Sequence, residues 1–175
     1  WYAEGTAEWL ATHTWHEGKL SLGVWPRKPD DVPGWGRIEW VRRAVQANRG
    51  RTLDELLSLR IPPDRDDDEY GWCWAAVAFL GQHPTSHEAF ARLIAQVGHA
   101  DVTAAARQSL ANDWASLAEQ WLAFTDELAY GHDVTRSAID LTPVGRQYLP
   151  YVAEGLSMIG VGTERITSGP DRRRV

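Results

Sequence analysis

Apolar residues recur along most of this 175-residue chain at intervals of three and four, the spacing that gathers side chains on one face of an α-helix. Residues 1–12 read as a first helix, although Gly5 within it costs about 1 kcal/mol against Ala. Ile38, Val41 and Val45, with Arg37, Arg42, Arg43 and Gln46 between them, predict an amphipathic helix ending near Asn48-Arg49-Gly50. Thr52-Leu53-Asp54-Glu55 has the capping-box pattern and opens a short helix through Leu59, which Ile61-Pro62-Pro63 stops. The stretch Tyr70 to Leu80 is apolar nearly all round, so it should be the central, buried helix. Thr85 and Glu88 form a second capping-box pattern before Phe90, Leu93, Ile94 and Val97, and Gly98 stops that helix. Val102 to Ala111 is helix-prone, and Trp114, Leu117, Trp121, Phe124 and Leu128 make the stripe of a longer helix ending before Gly131.

One segment departs from this period. His13 to His16 and Lys19 to Trp25 flank Glu17-Gly18, which predicts a short hairpin with a Gly-containing turn. Pro26 to Gly34 holds three Pro and reads as a loop. From His132 the pattern weakens, with Ser137 to Leu141 as a strand leading to a further domain. The expected fold class is therefore mainly α, an α+β chain with one small β-hairpin. Residues 1–131 form a helical subdomain, and residues 132–175 a C-terminal extension or linker, partly disordered.

Bulk properties narrow the partners more than the fold. A formal charge of −6 gives no general attraction to nucleic acid or to an anionic membrane, and no apolar run reaches the length of a membrane span. The lone Cys73 excludes an internal disulfide without deciding the compartment, and it reads as a small core residue. Ten Trp are spread along the chain. Trp suits cores and half-buried clefts, and most of these fall within helical apolar stripes, so the core reading is preferred over an exposed row.

The candidate chemistry lies at the start. In Trp1-Tyr2-Ala3-Glu4-Gly5-Thr6-Ala7-Glu8-Trp9 two carboxylates stand four residues apart among apolar neighbours. On a helix they share a face, about 5–6 Å apart, where like charges repel. A sheltered pair of this kind needs a cation, a metal or a His as partner. Trp-x-x-Glu-Gly-x-Ala-Glu resembles the helix that follows the HExxH helix in gluzincin zinc metallopeptidases, closest to their peptidase-MA-like branch. The Tyr-led apolar helix from Tyr70 resembles the same family. The resemblance implies that Glu4 is the third zinc ligand, that Glu8 orients a ligand His, and that Tyr70 steadies the oxyanion. It implies zinc as the cofactor and a peptide or protein as the substrate. Catalytic zinc takes three protein ligands and a water, and a ligand His commonly gives its other N–H to a carboxylate.

No HExxH occurs in these residues. The chain is therefore expected to be the C-terminal part of a zinc-dependent peptidase and by itself inactive, with its compartment left open by the sequence. The competing expectation is a non-catalytic, Trp-rich helical module that binds a peptide or glycan. Other motifs carry less. His83-Pro84-Thr85-Ser86-His87 has the two-His spacing of a zinc helix, but Pro84 breaks the helix and no Glu follows His83. The acidic run from Asp64 to Glu69 lacks the spacing and the Gly of a calcium loop, and reads as solvated. Tyr151 to Leu156 echoes the opening motif, but Met158 stands where the second acid would be.

Overall fold

A computed structural model describes residues 1–59, 67–96 and 101–134. All of them belong to the first of the chain's two units, Trp1–Ala138. The expected strand at Ser137 to Leu141, the echo at Tyr151 to Leu156, Val97 and the stop at Gly98, the stop at residues 61–63 and the acids at 64–66 lie outside the described residues.

The described part is mainly helical, with seven α-helices and one two-stranded sheet. In chain order these are α1 (Tyr2–Ala11), β1 (His13–His16), β2 (Lys19–Leu22), α2 (Arg37–Gln46), α3 (Leu53–Leu57), α4 (Asp67–Gln82), α5 (His87–Gln96), α6 (Val102–Ser109) and α7 (Trp114–Glu127). A 3₁₀ turn, Pro29–Asp31, lies inside the Pro-rich loop. No described helix is long and apolar enough to cross a membrane.

Helix α4 is the axis of the fold. Every residue from 71 to 80 is buried, as an apolar surface on all sides requires. Helices α1, α2, α3, α5 and α7 all pack on it. The first of these contacts depends on Gly5: a Cβ there would run into the Cys73 carbonyl oxygen and stand 2.7 Å from Val77 Cγ2. The mid-helix Gly thus lets two backbones meet.

The other helices follow their stripes, with local shifts. In α2 the buried residues are Ile38, Val41 and Ala44, and Val45 is only half-buried. The core face thus runs through Ala44, three residues on from Val41, rather than through Val45. Thr52 caps α3 as expected: its hydroxyl accepts from Glu55 N at 3.2 Å, and Glu55 Oε2 accepts from Thr52 N at 2.8 Å. The bonds that Glu55 Oε2 accepts from the Thr52 backbone N–H and hydroxyl hold its carboxyl below its usual range. Helix α5 begins at His87, later than a cap at Thr85 predicts. Ser86, just before it, donates instead to Leu80 O at 2.8 Å, and Thr85 N donates to His83 Nδ1. Leu117, Trp121, Phe124 and Leu128 bury the stripe of α7, with Trp114 half-buried.

Strands β1 and β2 pair antiparallel, with His13 opposite Leu22 and His16 opposite Lys19. The turn residues Glu17 (φ 49°) and Gly18 (φ 76°) both have positive φ, as a two-residue hairpin turn demands. All eight strand residues are exposed. The ten Trp fill much of the interior. Trp72, Trp74 and Trp121 are buried, six others are half-buried, and Trp15 alone is exposed, at 69%.

Candidate functional site

Helix α1 carries both carboxylates singled out by the sequence, and its attachment through Gly5 to α4 fixes their height over the core. Glu4 is half-buried and has no hydrogen bond or ion pair among the described residues. One turn on, both oxygens of Glu8 accept hydrogen bonds. Arg37, the first residue of α2, binds it in a fork: Nη2 to Oε1 at 2.7 Å and Nε to Oε2 at 2.9 Å. The Trp35 indole N–H adds a third bond to Oε2 at 3.0 Å. Both members of the ion pair are 15% exposed. A bidentate Arg–carboxylate pair in this sheltered setting is the strong kind of ion pair.

The loop between the hairpin and α2 brings these partners over α1. Gly36, at φ 61°, turns the chain into α2, so that Trp35 and Arg37 flank Glu8. Arg37 also donates through Nη1 to Trp35 O at 2.9 Å. Its guanidinium lies 4.4 Å from the Trp40 ring centre and 5.7 Å from that of Tyr70. The structure thus brings Glu8 and Tyr70 to one guanidinium, with Glu4 a helical turn away on α1. The half-buried Tyr70 has no hydroxyl hydrogen bond among the described residues. Beneath them, Trp35 meets Trp74 edge-on at 4.8 Å, and Trp25 lies 5.0 Å from Trp74.

Sequence reasoning asked for a partner to the acidic pair but missed Arg37, which it assigned to the polar face of α2. Arg37 and Glu8 are 29 residues apart, joined by a loop of unpredicted path, so no local spacing signals the pair. Arg37 and Trp35 enclose the Glu8 carboxylate, so it does not face bulk solvent.

Two other polar sites are internal. His83 is fully buried between the α4–α5 turn and α7. Its Nδ1 accepts from Thr85 N at 3.3 Å, so Nε2 carries the proton and donates to Gln120 Oε1 at 2.7 Å. Burial pushes its pKa down, against the opposing effect of the Gln120 bond. Tyr130 donates to Glu39 Oε1 at 2.6 Å, and burial, then that carboxylate, push the phenol well above its ordinary value. Cys73 is buried, at the surface of α4 that faces Gly5.

Among the described residues no group of three or more His, Cys, Asp or Glu could hold a metal ion. Glu4 would be a single ligand, and one carboxylate does not fix a tetrahedral zinc. Comparison with protein-family models, curated proteins and solved structures finds no match to this chain.

Proposed function

We propose that these residues form the C-terminal helical part of a gluzincin-type zinc peptidase, in which Glu4 supplies the third metal ligand. One observation carries the reading. Of two carboxylates on one anchored helix face, Glu8 is held at both oxygens by Arg37 and Trp35, while the half-buried Glu4 is left without a partner among the described residues. A half-buried carboxylate gains from a cation, and a metal held by other ligands would provide one.

The remaining ligands do not come from the described residues. The two His and the general base of an HExxH helix would have to be supplied by a further segment, so no catalytic step is derived from this chain. Zinc in such a site would lower the pKa of a bound water to about 7 and polarise the scissile carbonyl. Within the chain, Glu8 Oε1 takes one bond from Arg37 and keeps a second lone pair, to which a ligand imidazole N–H could donate. Tyr70, whose ring lies 5.7 Å from the Arg37 guanidinium and whose hydroxyl has no hydrogen bond among the described residues, is the candidate for the oxyanion.

The competing reading, a Trp-rich module binding a peptide or glycan through an exposed row of Trp, has only the exposed Trp15 to draw on. The test is the parent coding sequence and its product. An HExxH codon run within several tens of residues upstream of Trp1, with zinc in the purified product, is the expected result. Its absence would end the peptidase reading.

A further inference from the structure

The hairpin leaves a backbone edge and a cavity side by side. Its two-residue turn makes His16 and Lys19 a hydrogen-bonded pair, and antiparallel pairs alternate, so Thr14 and Ser21 are bonded too. His13 and Trp15 therefore turn their N–H and C=O groups away from β2. No backbone partner takes them up among the described residues. Such an edge is a template for one more strand.

At the foot of β1 lies a cavity of about 320 Å³. His13 and Thr14 line one side of it, with Trp25, Val32 and Arg27 among the others. The Trp25 N–H is already given to Ala129 O at 3.2 Å, so that residue offers the cavity only its apolar ring. The Arg27 side chain is exposed and has no hydrogen bond or ion pair among the described residues. Nearby Asp31 is partly occupied, since its Oδ2 accepts from the backbone N–H groups of Arg27 and Lys28 at 2.9 and 3.2 Å.

We infer that the β1 edge and this cavity bind an extended peptide in which an apolar side chain neighbours a carboxylate. Each part of the site calls for one part of that ligand. The outward N–H and C=O groups of His13 and Trp15 pair with a peptide backbone and with little else. The Trp25 and Val32 surfaces take the apolar side chain. The uncommitted guanidinium of Arg27 takes the carboxylate, for which its fork is shaped. The exposed face of Trp15, on β1, lies where a side chain of an added strand would pack, and its cross-strand partner Leu20 extends that apolar face by one strand. The inference needs no metal and stands apart from the peptidase reading: Thr12 at the cavity rim is eight residues beyond Glu4, about 12 Å along the helix axis.

The test is an amide-resolved NMR titration of the full ¹⁵N-labelled chain. The probe is the peptide acetyl-Thr-Val-Thr-Val with a free C-terminal carboxylate, beside its C-terminal amide and an amide ending in Glu. The first peptide should shift the His13 and Trp15 amides and slow their exchange. Its C-terminal amide should bind about tenfold more weakly, the loss of one charge-assisted contact. Binding by the Glu-ended amide would place the carboxylate source in a side chain, and its failure would place it at the chain terminus. In Arg27→Ala the acid and the amide should bind equally weakly. Trp15→Pro should abolish binding that Trp15→Ala only weakens, since Pro removes the outward N–H while leaving the ladder to β2. Three results would overturn the inference. One is no shift at His13 and Trp15 with millimolar peptide, and another is equal binding of acid and amide to the unsubstituted chain. The third is a concentration-dependent shift of the same amides without peptide, which would mean a second copy occupies the edge.

Discussion

Gly5 sets where Glu4 stands, because the residue between helix and helix axis decides how deep α1 can seat. A methyl there would meet the Cys73 carbonyl and Val77. Gly5→Ala gains about 1 kcal/mol of helix propensity but must push two backbones apart. The steric term wins, so the variant should lose on the order of 1–3 kcal/mol in urea unfolding, the usual range for overpacking. A stabilised variant would contradict the α1–α4 contact. Glu8 and Arg37 give an asymmetric prediction. Arg37→Met leaves a sheltered carboxylate with only the Trp35 N–H, and should cost roughly 2–4 kcal/mol. Glu8→Gln should cost less, because Arg37 keeps Trp35 O and the Trp40 ring. A double-mutant cycle in urea checks both values, and the two losses should fall short of additive. Equal, additive losses under about 0.5 kcal/mol would mean the pair behaves as an exposed one.

At the scale of elements, His83 joins the α4–α5 turn to α7, and the bond directions make the joint depend on pH. Its folded pKa lies below the ordinary value near 6.5, because burial disfavours the charged ring. A lowered His pKa means that the unfolded chain takes up the proton first. The stabilisation is therefore complete above the unfolded pKa, and it is lost as pH falls from about 6.5 through the folded value. Protonation at Nδ1 would also set a donor against the Thr85 N–H. Urea midpoints measured between about pH 7.5 and 5, the span in which His titrates, should fall on the acid side, and in His83→Gln they should fall less. An unchanged slope in the variant would assign the acid loss to other groups. The elements themselves were largely legible in the sequence. The stripes at Ile38 and Val41 and from Leu117 to Leu128 are local periodicities, and the Thr52–Glu55 box and the Glu17-Gly18 turn are local chemistry. What could not be read depended on tertiary contact. The choice of Ala44 over Val45 was decided by neighbours, as was the shift of α5 to His87. The Glu8–Arg37 bridge depends on how a loop folds back over α1.

At the scale of the molecule, the packing of α1 on α4 puts Glu4 and Glu8 on an anchored scaffold, and Arg37 brings Glu8 and Tyr70 together. Glu4 remains the uncommitted carboxylate of the pair among the described residues. The chain by itself should bind zinc weakly in calorimetry and cleave no peptide. The most direct test of the account is zinc per chain, by metal analysis, in the parent product that carries these residues together with an HExxH segment. The account predicts one zinc in the unsubstituted protein and the loss of most of it in Glu4→Ala. Glu8→Ala, by comparison, should weaken zinc affinity about 10–100-fold. A parent product without zinc, or one whose zinc is untouched by Glu4→Ala, would contradict the assignment of Glu4 as a metal ligand.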